Sequence, residues 1–315
     1  MRSPLSKRNA ERNCERDCAR SCACIRVRVC RAACALIVAC ASSASNATWQ
    51  FDVDAGSLYD SNLTRAYEPA DIRADAAFTL DAAAGSFWAL SGSDGLTLTA
   101  DARTEAYHRF HGLNVLGIGA SGVYKHKFGV GYAAPWIALT VAGGHDDYRG
   151  DIRDSHRLDL RAELGKRFAP EFDAAFGGRY DRRYARNDEP VVPGISGKVF
   201  DLHGQSVYAR AGYAITERLL LGVELSARRG DVVATTRPDF DIFVVSDAIA
   251  ADPTFGPGFF AYRLRGTTDT AKISASWALD QQSSLNVTYV EERTDAAGGV
   301  YYRSHSANLV YAWRY

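Results

Sequence analysis

From residue 48 onward, apolar and polar residues alternate with a period of two, stretch after stretch. TWQFDVDAGSLYD puts Trp49, Phe51, Val53 and Ala55 on one side and Gln50, Asp52 and Asp54 on the other. Successive side chains of a strand point to opposite faces of its sheet, so such a stretch is a strand with one greasy and one polar face. ADAAFTLDAAA sorts Ala76, Phe78, Leu80 and Ala82 from Asp75, Thr79 and Asp81. LTLTADARTEAY sorts Leu96, Leu98, Ala100 and Ala102 from Thr97, Thr99, Asp101, Arg103 and Glu105. Further segments follow near 115–127, 136–145, 156–168, 172–185, 200–215, 218–229, 271–280, 284–293 and 302–315. Helical periodicity is poor, and no uncharged run after residue 48 approaches the ~20 apolar residues of a membrane helix. The pattern predicts an all-β chain of about twelve strands.

The connections alternate in length. SGSDG (91–95), GYAAP (131–135), FAPE (168–171), ITER (215–218) and DQQSS (280–284) are short, whereas 64–73, 146–155, 186–199 and 235–262 are long and mostly polar. Short turns on one side and long loops on the other describe an antiparallel up-and-down transmembrane β-barrel over residues 48–315, with both termini periplasmic. Aromatic residues sort the same way. Trp49, Trp88, Trp136, Trp277 and Trp313 fall towards the short-turn side, and Tyr59, Tyr107, Tyr184, Tyr289, Tyr301 and Tyr302 towards the other. Two such belts are expected where amphipathic rings meet two membrane interfaces. Trp49, Trp88, Trp277, Tyr311, Trp313 and Tyr315 are the interface aromatics this reading selects.

The chain ends on NLVYAWRY, an alternating strand closed by an aromatic residue. It resembles the C-terminal signal that barrel-assembly machinery reads in Gram-negative outer-membrane proteins, departing from it at Val310, where glycine is often found. The resemblance implies that machinery as a partner and the bacterial outer membrane as the location. YDSNLTRA (59–66) is similar to first strands of several barrels, among them the surface lipoprotein assembly modifiers. Those carry a helical-repeat periplasmic domain for which this chain has no room, so only the barrel is implied.

Composition adds a leader. All seven cysteines precede residue 41. Residues 1–47 are basic through Arg31, apolar over AACALIVACA (32–41) and end on small residues, which is the layout of an export signal. The basic stretch exceeds the usual leader, as it would if translation truly begins downstream of Met1. The C-x3-C-x3-C-x-C spacing has no histidine beside it and does not read as a metal site. Ile37-Val38-Ala39-Cys40 resembles a lipoprotein box, a rival to cleavage after Ala44 or Ala47. The remainder carries 28 basic and 34 acidic groups, which argues against a general nucleic-acid binder. A mean hydropathy of −0.21 fits a barrel whose strands are half polar.

No cofactor motif occurs, and no catalytic residue is selected. His145 and His156 flank DDYRGDIRDS, where Asp146, Asp147 and Asp154 could complete a metal site or simply form a solvated rim. His305 sits between Ser304 and Ser306, and His203 opens HGQS, but neighbouring strand residues face opposite ways, so neither is a Ser–His nucleophile pair. The polar face is the informative set. Asp52, Asp54, Asp75, Asp81, Asp101 and Glu105, with Arg103, make one wall acidic, while Arg157, Arg161, Arg179, Arg183 and Arg210 enrich the other. Facing walls of opposite charge suit a narrow porin-like channel for small polar or charged solutes, with weak selectivity. Zipped into salt bridges, the same charges would fill a non-conducting structural, assembly or export barrel. A lipid-modifying enzyme is the third role, and the sequence sets no oligomeric state.

The mature N-terminus should fall between Ser45 and Thr48. Intact mass of the membrane-extracted protein checks this, and a diacylated chain starting at Cys40 would refute it.

Overall fold

The computed structural model describes residues 48–315, and the leader, its cysteines and the cleavage region lie outside them. The alternating stretches form antiparallel strands: β1 (Thr48–Asp60), β2 (Asp75–Ala89), β3 (Asp94–Tyr107), β4 (Val115–Lys127), β5 (Trp136–Tyr148) and β6 (Ser155–Ala169). β7 (Phe172–Ala185), β8 (Leu202–Ala214), β9 (Leu219–Thr236), β10 (Ala248–Ala251), β11 (Phe260–Ala278), β12 (Ser283–Ala296) and β13 (Val300–Arg314) follow. β9 pairs directly with β11, and β13 returns to β1, so twelve strands close, with the four-residue β10 added to the outer end of β11.

Closure is what the bilayer demands. An unpaired backbone group in hydrocarbon costs several kcal/mol, and a closed sheet leaves none. The seam is held from Asp60↔Ser306 down to Asp52↔Arg314, and Phe51 and Tyr315 exchange both backbone hydrogen bonds at 2.8 and 2.9 Å. The outward face carries the apolar set in the open, including Phe78, Leu116, Phe176 and Val207. Such a continuous apolar surface would aggregate in water and is at home in lipid.

Register corrects three aromatics. Trp136 lies opposite Lys127 and Gly165, on the inner face, where Lys125 sits 4.3 Å from its ring. Tyr107 and Tyr302 also turn inward, Tyr107 onto Glu105 and Tyr302 into a buried apolar cluster. Position along a strand decides the height of a ring, but parity decides its side, and these three have the inner parity. Trp49, Trp88, Trp277, Tyr311, Trp313 and Tyr315 have the outer one.

β9 and β11 run past their expected ends at 229 and 271, because their outer parts pair with each other beyond the alternating region. There, β9, β11 and β10 make a small sheet buried on both faces. Val232, Ala234, Ile249, Tyr262 and Leu264 join one apolar cluster; Val233, Ala248, Ala250 and Ala261 join another with Val199 and Phe200. A strand covered on both sides has no polar/apolar alternation, so a period-two reading cannot see it.

Deleting Trp313–Tyr315 removes the Phe51–Tyr315 bonds and the lower end of the seam. The expected outcome is loss of the heat-modifiable folded band on semi-native gels; normal folding of the truncated chain would refute a seam that needs its last residues.

Candidate functional site

The interior surface is set by register. Asp52, Asp54 and Asp60 of β1, Asp75 and Asp81 of β2, and Asp101, Arg103 and Glu105 of β3 share the inner parity. So do Asp146 of β5, Arg157, Asp159, Arg161 and Glu163 of β6, Arg179, Asp181 and Arg183 of β7, and Arg210 and Arg228 of β8 and β9.

The pairs these groups make run along the wall, and glycines make that possible. Arg103, Gly117 and Asp146 lie in one cross-strand row, and Arg103 reaches over Gly117 to Asp146 at 3.1 Å. A Cβ on Gly117 would stand 2.7 Å from that carboxylate and 2.9 Å from the arginine. Tyr208 crosses Gly177 in the same way to donate to Glu163 at 3.0 Å, with Arg210 clasping both oxygens of Glu163 at 2.8 Å. Arg228 crosses Gly204 to hold Asp181 through two bonds of 2.7 and 3.0 Å. In each case the strand between the partners offers no side chain, so groups two strands apart meet. Arg157 joins Asp146 at 2.7 Å, Arg161 joins Glu163 at 2.7 Å, and Arg179 joins Asp159. Among the described residues no carboxylate pairs with Arg183, which donates to Ser155 Oγ at 2.7 Å and to the Arg153 carbonyl.

Asp146 and Glu163 are each shared by two arginines, so the basic wall is only partly neutralised by its own carboxylates. The β1–β3 wall keeps the opposite excess. Asp52 takes Arg314 at 2.6 Å, whereas Asp54, Asp81 and Asp101 have no ion-pair partner among the described residues, and Asp54 stands directly opposite Asp81. Like charges facing across a strand pair repel, which only water-filled space tolerates cheaply. Between the walls lies a chamber of about 780 Å³ touched by Glu105, Arg157, Arg179, Asp181, Arg228 and Glu292, among others.

The long loops close over it. The segment 237–259 meets a loop from each side of the rim. Asp252, fully buried, binds Arg153 of the β5–β6 loop through two bonds of 2.5 and 3.0 Å, and the guanidinium lies against Phe200 and Phe255. Phe255 packs on Phe110 of the β3–β4 loop at 5.1 Å, and the Ile249 amide donates to Ser196 of the β7–β8 loop. From the β1–β2 loop, Asp71 accepts from Thr236 and the Arg237 amide, and the Tyr67 hydroxyl donates to Asp239 at 2.6 Å. YDSNLTRA forms the knot beneath. Asn62 accepts from the Ala66 amide and the Thr64 hydroxyl and donates to the Ala66 carbonyl, while Arg65, held at φ 52°, turns back onto Asp60 at 2.8 Å.

The histidines are not gathered into a centre. His145 and His156 face each other with rings 4.7 Å apart on the outer surface. Asp146 points inward to its arginines, and Asp154 accepts from the Tyr148 amide, so these carboxylates are engaged elsewhere. His305 shares a hydrogen bond with Tyr289 at 2.8 Å while Ser304 bonds to Asp60 inside the wall. His203 pairs with Asp231 at 2.7 Å. Sequence reasoning found neither the Arg153–Asp252 pair nor the lumenal role of Asp146. Both depend on which loops meet, and no local signal carries that.

No protein-family model matches the chain, and no curated protein matches it by sequence. Solved structures do match. An outer-membrane channel from Pseudomonas putida F1 superposes with a TM-score of 0.52 at 11% identity, covering 87% of this chain and 97% of that one. The KdgM porin solved with disordered oligogalacturonate gives 0.46 at 8% identity over 83% and 98%, and the CymD monoaromatic hydrocarbon channel 0.46 at 8% over 85% and 88%. The chain has the closed antiparallel twelve-stranded β-barrel fold. At these identities the likeness speaks for the fold alone.

Cap attachment should depend on pH with a definite sign. The Tyr67 hydrogen bond, with the Asp241 and Ile242 amides, holds the Asp239 carboxyl below the usual carboxylate range, so its contribution is complete above that range and is lost as pH falls through the lowered value. Tyr67 is pushed up to about 12 by the same bond, so it remains a donor until pH climbs through that value. Protection of the Asp241 and Ile242 amides, corrected for intrinsic exchange, should be flat from about pH 5 to 8 and fall in acid. In Tyr67→Phe it should drop about three- to tenfold at neutral pH, the effect of one partly exposed charge-assisted bond. Unaltered protection in the variant would show that the bond holds nothing.

Proposed function

We propose that the chain is a narrow outer-membrane channel for small polar or charged solutes, weakly selective and shut at its outer mouth by the folded loop cap. The observation that carries this reading is the direction of the ion pairs. They run along the wall, and the side chains of Arg157, Arg161, Arg179 and Arg210 remain 35–52% exposed to the interior. A filled barrel would pair its charges across the lumen and bury them. Twelve strands fall between the eight that side chains alone can fill and the sixteen or so that leave an open aqueous pore, so a narrow bore is in keeping with the closure. Weak selectivity follows because the unpaired Asp54, Asp81 and Asp101 are offset by a wall on which Asp146 and Glu163 each serve two arginines.

The cap supports a second reading, a structural or assembly barrel that does not conduct. Its attachments are many, and Arg153–Asp252 is buried and bidentate. Removing one partner of such a pair leaves an uncompensated buried charge, at a cost of roughly 3–5 kcal/mol.

Conductance in planar bilayers separates the two. Wild type should give small, intermittent openings with a reversal potential close to zero in a salt gradient. Arg153→Ala should raise the open fraction by loosening the cap. Replacing Asp54, Asp81 and Asp101 together by Asn should move the reversal potential towards anions, because three charges within a Debye length of ~8 Å dominate so narrow a bore. Silence from both wild type and Arg153→Ala would reject the channel in favour of the structural barrel.

A further inference from the structure

The outer surface over β5–β11 is graded in polarity along three successive cross-strand rows. The lowest row, Leu139, Ala162, Gly178, Val207 and Ala227, is apolar up to Asp269 on β11, and its small members leave a groove in the wall. The next row up runs Tyr180, Gln205, Arg229 and Thr267. Above it come His203, Asp231 and Arg265. These rows line two connected depressions. An apolar groove of about 800 Å³ lies over the lower rows, and a polar hollow of about 460 Å³ lies above it; Gln205, Arg229 and Thr267 border both.

The hollow exists because three inward-parity glycines, Gly204, Gly230 and Gly266, stand side by side on β8, β9 and β11. A Cβ on Gly230 would lie 2.3 Å from the His203 carbonyl and 2.5 Å from Gly204 Cα, so these backbones approach more closely than any other residue would allow. The close approach dents the outer surface at that level.

Charge in the hollow is available. Arg229 is exposed and makes no ion pair with any described residue. Arg265 has one long contact, 3.5 Å to Asp247, and its side chain is 79% exposed. Arg229 lies opposite Thr267, which makes Arg265 its diagonal neighbour at roughly 7–8 Å between backbones. Two guanidinium forks at that spacing can converge on one phosphoryl group. Asp231 is engaged by the His203 ring and amide, and Asp295, opposite Thr267, borders the hollow. Height also fits. His203 is ten residues above Tyr213 on β8, and a strand tilted about 45° needs about 9–11 residues to cross the hydrocarbon core. The hollow therefore sits at head-group level on the long-loop side, with the apolar groove running down into the acyl region.

We propose that this surface is a binding site for one phosphorylated acyl lipid of the outer leaflet, its phosphate held between Arg229 and Arg265 and an acyl chain laid in the groove over Ala162, Gly178 and Ala227. The site is independent of whether the lumen conducts, since every group in it faces outward.

The test uses the full mature chain in phosphatidylcholine nanodiscs doped with lipid A, a phosphorylated and acylated disaccharide, with retained lipid counted by native mass spectrometry. Wild type should retain one lipid A, and the dephosphorylated form should be retained about tenfold less. Arg229→Ala and Arg265→Ala should each weaken retention by about tenfold, the scale of one charge-assisted contact. Gly178→Leu fills the groove from outside, where a Cβ meets nothing closer than 3.7 Å, so the barrel should fold normally yet retain less lipid with both arginines intact. Equal retention by the arginine variants, equal retention of the dephosphorylated lipid, or displacement by inorganic phosphate alone would each overturn the proposal, the last by showing a site for the ion rather than the lipid.

Discussion

Everything in this chain follows from one requirement: no backbone N–H or C=O of the wall can be left unpaired in hydrocarbon. That requirement forces the first and last strands together, and the seam from Asp60↔Ser306 to Asp52↔Arg314 is its expression. Once the sheet is closed, the period of two has no freedom left. Every residue is assigned to lipid or to lumen, and a slip of one position would put Phe51 and Val53 inside and Asp52 and Asp54 in the bilayer. The charged interior is thus a consequence of closure, because ionisable groups placed on the outward face at mid-membrane would cost several kcal/mol each.

Closure creates a second problem, which the lumen solves with glycine. A curved wall holds inward side chains on neighbouring strands close together, where Asp54 opposite Asp81 and Arg157 opposite Arg183 are like charges. Opposite charges are often two strands apart. Gly117, Gly177 and Gly204 clear the strand between, and the pairs Arg103–Asp146, Tyr208–Glu163 and Arg228–Asp181 form over them. These pairs link the strands of the β5–β9 side along the wall, beside the chamber. The same groups paired across the lumen would have sealed it.

How much of this is legible in the sequence depends on which physical signal carries it. Strand number, the span 48–315 and the parity of residues such as Asp101 or Trp313 are written in local alternation, which closure then enforces. The side taken by Trp136, Tyr107 and Tyr302 is written there too, but an aromatic-belt argument from height alone overlooks it. The outer ends of β9 and β11 are silent because burial on both faces erases the alternation. Arg153–Asp252 is silent for a different reason: its members lie 99 positions apart in two loops, and only the assembled rim brings them together. YDSNLTRA is intermediate. Its polar residues read as a turn, whereas their role as a knot beneath the cap depends on Arg303 and Ser304 across the seam.

The cap and the wall differ in what stabilises them, and this divides the molecule into a rigid and a releasable part. Wall strands are held by backbone pairing that has no competitor in lipid, so opening them is prohibitive. The cap stands in water, where each of its hydrogen bonds competes with solvent and is worth only about 0.5–1.5 kcal/mol net. Its hold comes from two small apolar clusters and one buried ion pair, whose desolvation offsets much of its attraction. The cap's attachments can therefore be lost one at a time, whereas the wall's backbone pairs in lipid cannot. The glycine row at Gly204, Gly230 and Gly266 lies near the boundary between the two regimes: below it the strands alternate and face lipid, and beyond Asp231 and Arg265 the ends of β9 and β11 pack into the apolar clusters under the loops.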